Sequence, residues 1–185
     1  LSSLILAFSL VIGSSYAYLT YISKTDNTTL IEAGTLALTF KNEKNSISLN
    51  SAVPITDTLG LEQDEEYEFE IENTGSLAAN YTITLENTCT VGKSYTVNDE
   101  TITADKCIPN EYIKVGLKKG STDYKVLEYD KENNIYILET GRLEKEKIRN
   151  YKFKIWLDYN TPNDYNSNGE LNIIYSAKLG LNFEQ

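Results

Sequence analysis

Histidine is absent from this chain, and its absence limits the chemistry that the side chains can do. The 185 residues include 27 acidic side chains and 14 tyrosines, but no histidine and no methionine. Without imidazole there can be no Ser-His or Cys-His nucleophile and no His-Glu-x-x-His zinc centre. We therefore expect no enzyme of these classes and no cofactor. The missing methionine predicts that the translation start lies upstream of Leu1.

Alternating carboxylates are the most conspicuous cluster of reactive groups. Glu66, Glu68, Glu70 and Glu72 are separated by Tyr, Phe and Ile. Paired carboxylates hydrolyse glycosides when they face each other across a gap of about 5 to 10 Å. Four carboxylates along one strand point the same way instead, so we interpret them as a solvated strand face that discourages edge-to-edge aggregation.

A second polar pattern resembles the first half of a calcium-binding loop. Asp164, Asn166 and Asn168 precede Gly169 with the spacing of such a loop. A complete loop needs a bidentate carboxylate at the position that Tyr175 occupies. The pattern is therefore an incomplete calcium candidate, and we prefer to interpret it as a polar turn before the last strand.

The two cysteines and the many tyrosines each allow two interpretations. Cys89 and Cys107 lack the close spacing of a redox or metal pair, and an even count in an exported chain predicts one disulfide. Two unpaired buried thiols are the alternative. The tyrosines are expected mainly in the core, while a carbohydrate-binding or partner-binding platform is the other possibility.

An uncharged apolar segment opens the chain and predicts export. Residues 4–12 form the apolar region of a signal peptide, and Ser15 and Ala17 occupy the −3 and −1 positions of a cleavage site before Tyr18. An uncleaved membrane anchor is the alternative to this signal helix of residues 1–17. The net charge of −10 lies wholly beyond residue 17 and argues against a nucleic-acid partner.

Beyond residue 17 the sequence alternates with the period of a β-strand. Residues 66–72 are the clearest case, and further stretches rich in Tyr, Thr, Ile, Val and Phe span residues 35–41, 80–86, 112–117, 124–129, 135–139, 151–158 and 171–183. Residues 130–134 read as a hairpin turn, and the charged residues 142–150 are the best candidate for a short helix.

This pattern predicts an all-β fold with one domain. Short strands joined by polar turns indicate an antiparallel β-sandwich of Greek-key or jelly-roll type over residues 34–185. Residues 18–33 would then form an N-terminal arm. Such an arm can fold back on its own sheet or add a strand to another subunit.

Several of these stretches together resemble the camelysin/TasA family of exported bacterial surface and biofilm-matrix proteins. The similarity lies in residues 15–23 at the processing site, residues 31–38 and residues 69–85, in that order. Tyr21 and Ala37 depart from it, because an aspartate is common at both positions in the family. The resemblance implies a jelly-roll domain and processing by a signal peptidase of the SipW type.

The resemblance also implies a function. In the family's best-known members the mature N-terminal segment inserts into the next subunit of a matrix fibre. Leu19, Tyr21 and Ile22 would be the donor-strand residues here, with further copies of the chain as partners. A secreted structural protein of a bacterial matrix or surface is therefore expected. The alternative is a monomeric surface-binding module or adhesin that holds a carbohydrate or another cell-surface ligand.

Overall fold

The computed structural model describes residues 29–33, 36–40, 47–50, 52–75, 77–97, 100–165 and 171–184. The predicted signal helix lies outside these residues. No helix within them is long and apolar enough to cross a bilayer.

The described residues form thirteen strands and one short α-helix. In chain order these are β1 Thr29–Ala33, β2 Leu36–Phe40, β3 Ile47–Asn50, α1 Asp57–Glu62, β4 Tyr67–Asn73, β5 Ala79–Asn87, β6 Ser94–Val97, β7 Glu100–Thr103, β8 Lys106–Cys107, β9 Ile113–Lys119, β10 Lys125–Val126, β11 Tyr136–Leu143, β12 Ile148–Leu157 and β13 Ile173–Glu184. Single 3-10 turns span Asn110–Tyr112 and Asn163–Tyr165.

The strands build two sheets. Sheet A has the order β1-β2-β4-β12-β9-β10, and sheet B has the order β11-β5-β13-β3. Among the described strands, β8 is the parallel exception, pairing with the start of β13, and β6 and β7 form a separate hairpin. The all-β antiparallel sandwich that the sequence predicts is confirmed. Its jelly-roll type stays a prediction.

The core lies between the sheets because each strand turns alternate residues inward. In β4 the apolar side chains Tyr67, Phe69 and Ile71 are buried, while the glutamates between them are partly exposed. The Phe69 ring stacks on Tyr151 at 4.9 Å between centroids, and the Tyr67 ring stacks on Phe153 at 5.1 Å. These cross-strand aromatic pairs stabilise the β4–β12 register at the centre of sheet A.

Tyrosine hydroxyl groups join the two sheets across this core. The hydroxyl groups of Tyr81 in sheet B and Tyr151 in sheet A lie 2.7 Å apart. The Tyr67 hydroxyl group of sheet A donates to the Ser48 carbonyl of sheet B at 3.1 Å. In the opposite direction, the Tyr136 hydroxyl group of sheet B donates to the Ile113 carbonyl. Each phenol is therefore buried without leaving its polar end unpaired.

Helix α1 covers the outer face of sheet A. The Thr56 hydroxyl group caps its first turn by accepting from the Leu59 N–H. At its other end, the Lys154 Nζ donates to the Leu61 carbonyl at 2.9 Å, and the Gln63 Nε2 donates to the Ile155 carbonyl at 2.9 Å. The six residues of α1 are too few to be stable alone, so these contacts with β12 hold the helix.

Gly60 allows α1 to lie directly on the chain's single tryptophan, Trp156, which is 1% exposed. A Cβ atom at Gly60 would lie 2.3 Å from Trp156 Cδ2. Gly60→Ala should therefore push the helix off the sheet and lower the free energy of unfolding by roughly 2 kcal/mol. Urea titration followed by tryptophan fluorescence measures this loss. Leu59→Ala, at an exposed position of the same helix, should change it by less than about 0.5 kcal/mol; equal losses would contradict this account.

One predicted local structure is wrong, and a second is confirmed in part. The charged residues 142–150 form no helix, since β11 ends at Leu143, β12 begins at Ile148 and the turn between them crosses from sheet B to sheet A. The end of β4 holds that turn, because the backbone N–H of Asn73 donates to the Lys147 carbonyl at 2.9 Å. The predicted hairpin turn is confirmed locally, because Asp130 and Ile135 form an antiparallel bridge and exchange backbone hydrogen bonds at 3.0 and 3.3 Å. The pairing does not extend to the flanking strands, because β10 lies in sheet A and β11 in sheet B.

Candidate functional site

The predicted processing residues and donor residues lie outside the described part of the chain. Those residues are Ser15, Ala17, Tyr18, Leu19, Tyr21 and Ile22. The last five residues of the predicted arm are described, and they form β1. This strand pairs with β2 from Thr29 opposite Phe40 to Ala33 opposite Leu36, at the edge of sheet A. The part of the arm that could reach a neighbour is therefore limited to residues 18–28.

One side of β13 offers a candidate acceptor edge. On the side of β5, β13 is paired from Ala177 to Glu184. On the side of β3 it is paired from Ile174 to Ala177. On that second side the described pairing stops at Ile47, and residues 41–46, which precede it, lie outside the described residues. We name residues 178–184 the β13 edge; a strand edge with open backbone N–H and C=O groups is in general a template for pairing with another chain.

The far edge of sheet B is less suited to accept a strand. It is formed by β11, whose register with β5 shifts between Ile137 and Glu139. It also carries charged side chains, with Glu139 bound to Lys119 at 2.7 Å and Arg142 bound to Glu144 at 3.3 Å. Irregular register and charge are the usual devices that prevent edge-to-edge pairing. The β13 edge is therefore the better acceptor of the two.

The predicted disulfide is confirmed. Cys89 and Cys107 are bonded, with their Cα atoms 5.7 Å apart. The bond closes the segment that contains the β6–β7 hairpin, and it links the chain just after β5 to β8 beside β13. At its base the Asn87 Oδ1 accepts from the Cys89 N–H at 2.9 Å. The disulfide thus anchors the segment that contains β6 and β7 to β5 and β13, the two central strands of sheet B.

The acidic row of β4 is an ion-paired strand face. Lys152 of β12 lies opposite Glu68 of β4, and it forms ion pairs with both Glu66 and Glu68. The Tyr124 hydroxyl group also donates to Glu66 at 2.6 Å. The Lys152 hydrogen bond, followed by that of Tyr124, holds the pKa of Glu66 below its ordinary value. The carboxylates lie side by side rather than across a cleft, which agrees with the solvated-face interpretation.

The Glu66 ion pair predicts a pH-dependent effect on stability. Because its pKa is lower in the folded chain, Glu66 stabilises the fold above its unfolded-state pKa of about 4.3 and loses this contribution as the pH falls through the folded value. Glu66→Gln should therefore lower the free energy of unfolding at neutral pH, by at most roughly 1 kcal/mol, and have no effect near about pH 2.

Urea unfolding at the two pH values measures this difference. Glu72→Gln is the matched control on the same strand face, because Glu72 lies opposite Ile148 rather than a lysine. Its effect at neutral pH should be smaller. A Glu66→Gln effect of equal size at both pH values would show that the ion pair is not its cause.

The calcium candidate is only partly described. Asp164 lies in the 3-10 turn that ends at Tyr165, whereas Asn166 and Asn168 lie outside the described residues. The Asp164 backbone carbonyl accepts from Lys106 Nζ at 2.9 Å, and this ammonium group also lies 3.9 Å from the centre of the Tyr165 ring. No cluster of three potential metal-ligating side chains occurs in the described part of the chain. The positively charged Lys106 side chain thus contacts the described part of this turn, Asn163–Tyr165.

The tyrosines divide between core and surface. Five of them are at most 2% exposed and confirm the core interpretation: Tyr67, Tyr81, Tyr136, Tyr151 and Tyr175. Others line an open cleft formed by β9, β10 and the start of β11. Sequence reasoning missed this cleft, because its residues come from three separate segments and no spacing brings them together.

Comparison with known proteins adds no relative to this description. No protein-family model matches the chain, and no curated protein sequence matches it. The functional argument therefore depends on the sequence motifs and on the geometry described above.

Proposed function

We propose that the chain is an exported bacterial structural protein, a subunit of a biofilm matrix or surface fibre that assembles by donor-strand addition. The observation that carries the proposal is the place of β1 at the edge of sheet A, directly after the arm of residues 18–28 in the chain. The acceptor that we propose is the β13 edge, residues 178–184. The occupant is the arm of residues 18–28 from a second copy.

The arm is long enough to fill this edge. Residues 18–28 number eleven, and an extended strand rises about 3.3 Å per residue, so the arm spans at most roughly 36 Å. Pairing with the seven residues of the β13 edge needs roughly 23 Å of strand. About four residues remain to connect the paired segment to β1 of the donating subunit.

Backbone hydrogen bonds supply most of the attraction in this arrangement. The inward-facing Leu179 and Leu181 of the β13 edge are already 6% exposed, so little core surface is left for the donor to cover. Leu19 and Tyr21 lie on one face of an extended donor and would pack over the margin of the sandwich. Because the donating and accepting surfaces differ, the assembly is head-to-tail and grows as an open fibre.

The disulfide supports the export part of the proposal. Stable disulfides form in oxidising compartments and are rare in the reducing cytosol. The Cys89–Cys107 bond joins the chain beside core strands and therefore belongs to the folded domain. A secreted chain with a cleaved signal peptide passes through such a compartment.

Deleting residues 18–28 from the mature chain should abolish fibre formation and leave a folded monomer. The deletion ends at residue 28 because Thr29 begins β1. Electron microscopy and light scattering over a range of protein concentrations measure assembly, and circular dichroism confirms the β fold. Replacing Leu19, Tyr21 and Ile22 together by serine should have the same effect while keeping the arm length.

A matched control places two serines at Thr25 and Asn27, in the polar residues 24–28 of the arm, and should assemble as the parent does. Unchanged fibres from the deletion variant would contradict the donor role. A parent chain that stays monomeric at every concentration would contradict fibre assembly and agree with the surface-binding alternative.

A further inference from the structure

An open cleft lies where sheet A meets the first residue of β11. It has a volume of about 580 Å³, within the range of about 300 to 1,000 Å³ that is typical of small-molecule sites. Its aromatic lining consists of Tyr112, Tyr129 and Tyr136. These residues precede β9, follow β10 and begin β11, so the cleft depends on the sandwich being folded.

The tyrosine rings of the cleft are held in place by their neighbours. Tyr136 is 1% exposed, and its hydroxyl group donates to the Ile113 carbonyl. The Tyr129 ring lies 5.5 Å from the Tyr136 ring, and the Tyr129 hydroxyl group donates to Asn134 Oδ1. Tyr129 is only partly buried, so it presents an ordered aromatic surface to solvent. Ordered rings bind with a smaller loss of side-chain entropy than mobile ones.

Charged side chains of both signs surround this aromatic surface. Glu111 and Glu128 contribute two carboxylates and Lys114 and Lys131 contribute two ammonium groups, while the carboxylates of Asp130 and Asp158 lie close by. Lys114 is held by an ion pair with Asp158 at 3.1 Å. Burial, and then the charge of Glu111, raise the pKa of Tyr129, so its ring remains a neutral phenol at physiological pH.

We propose that this cleft binds a sugar ring of a neutral polysaccharide. A pyranose has an apolar C–H face that packs on an aromatic ring, and hydroxyl groups at its edge that both donate and accept hydrogen bonds. Tyr129 supplies the aromatic surface, the carboxylates of Glu111 and Glu128 accept, and the Lys131 ammonium group donates. With Asp130 and Asp158 counted, four carboxylates face two ammonium groups, so the surroundings of the cleft do not attract a polyanion. The proposal is independent of fibre assembly.

Titration of the isotope-labelled full chain with neutral tetrasaccharides tests this site by nuclear magnetic resonance. The probes are the tetramers of β-1,4-glucose, β-1,3-glucose, α-1,4-glucose and N-acetylglucosamine. At least one should give saturable amide shifts centred on Glu128, Tyr129 and Lys131. Tyr129→Ala should weaken that binding roughly tenfold, while Tyr129→Phe, which keeps the ring, should stay within about twofold of the parent.

Two further variants separate binding from structural damage. Glu128→Gln, at an exposed rim position, should weaken binding roughly threefold without changing the fold. Tyr159→Ala removes a tyrosine that is 66% exposed outside the cleft and should leave binding unchanged. The proposal is overturned if none of the four tetramers gives saturable shifts, if Tyr129→Ala binds as the parent does, or if charged chitosan or polygalacturonate oligomers bind more tightly than all four. None of these results bears on the arm-deletion test.

Discussion

Phe153→Ala should lower the free energy of unfolding by about 4 kcal/mol, the largest effect that we expect from a single substitution in this chain. Phe153 is fully buried in β12, which pairs with β4 on one side and β9 on the other. Its ring contacts Tyr67 and Phe69, with centroid distances of 5.1 and 5.9 Å. Removing the ring leaves a cavity among rigid aromatic neighbours that cannot close around it.

Urea unfolding at neutral pH, followed by circular dichroism and by the fluorescence of Trp156, measures this loss. Ile148→Ala is the matched control, since it truncates an apolar side chain of the same strand that is 53% exposed. We expect the control to change stability by less than about 0.5 kcal/mol. A Phe153→Ala loss below about 1 kcal/mol would mean that β12 is not the centre of the core.

Removing the disulfide should destabilise the fold by about 3 kcal/mol. The bond joins residues 18 apart in sequence, and the chain-entropy estimate for a loop of that size gives this value. The effect should extend to the whole domain, because the bond fastens Cys107 of β8 beside β13 and Cys89 just after β5. The double variant Cys89→Ala, Cys107→Ala avoids leaving a reactive thiol.

Comparison of oxidised parent, reduced parent and double variant in urea provides the measurement. The reduced parent and the double variant should unfold at similar, lower urea concentrations, and reductant should not affect the double variant. An alternative result is a main unfolding transition that stays at the urea concentration of the oxidised parent, with only the β6–β7 hairpin destabilised. That result would contradict the conclusion that the bond stabilises sheet B.

Much of the fold could be predicted from the sequence, because alternation reports directly which side of a strand is buried. In β4 and β12, two-residue periodicity marks both the strand and its inward face. The disulfide was also predictable, since an even number of cysteines in a chain that is predicted to be exported leaves few alternatives. These features depend on local pattern or on residue count alone.

Other elements could not be predicted because tertiary contacts create them. Helix α1 is six residues long and is held by Lys154, Gln63 and the close approach of Gly60 to Trp156, none of which shows as helical periodicity. Strand β3 has four residues, and its pairing with β13 sets it in place. Residues 29–33 belong to sheet A rather than to a free arm because β2 pairs with them.

The candidate sites show the same division. The donor residues follow from the family resemblance together with the apolar character of the arm, and the arm-deletion experiment tests them. The β13 edge is defined by the strand pairing on either side of β13, which no local pattern in the sequence reveals. The cleft around Tyr129 brings together three segments that the sequence keeps apart.

The tyrosine hydroxyl groups that join the sheets make this core sensitive to alkali. Burial raises the pKa of Tyr67 to about 12 and shifts those of Tyr136 and Tyr151 in the same direction. Each group therefore stabilises the folded state fully below its unfolded-state pKa of about 10, and this contribution is lost as the pH rises through the higher folded value. A core of phenylalanines would bury similar rings without such a titration. Strong base should therefore unfold the domain, because it ionises the buried hydroxyl groups that join sheet A to sheet B.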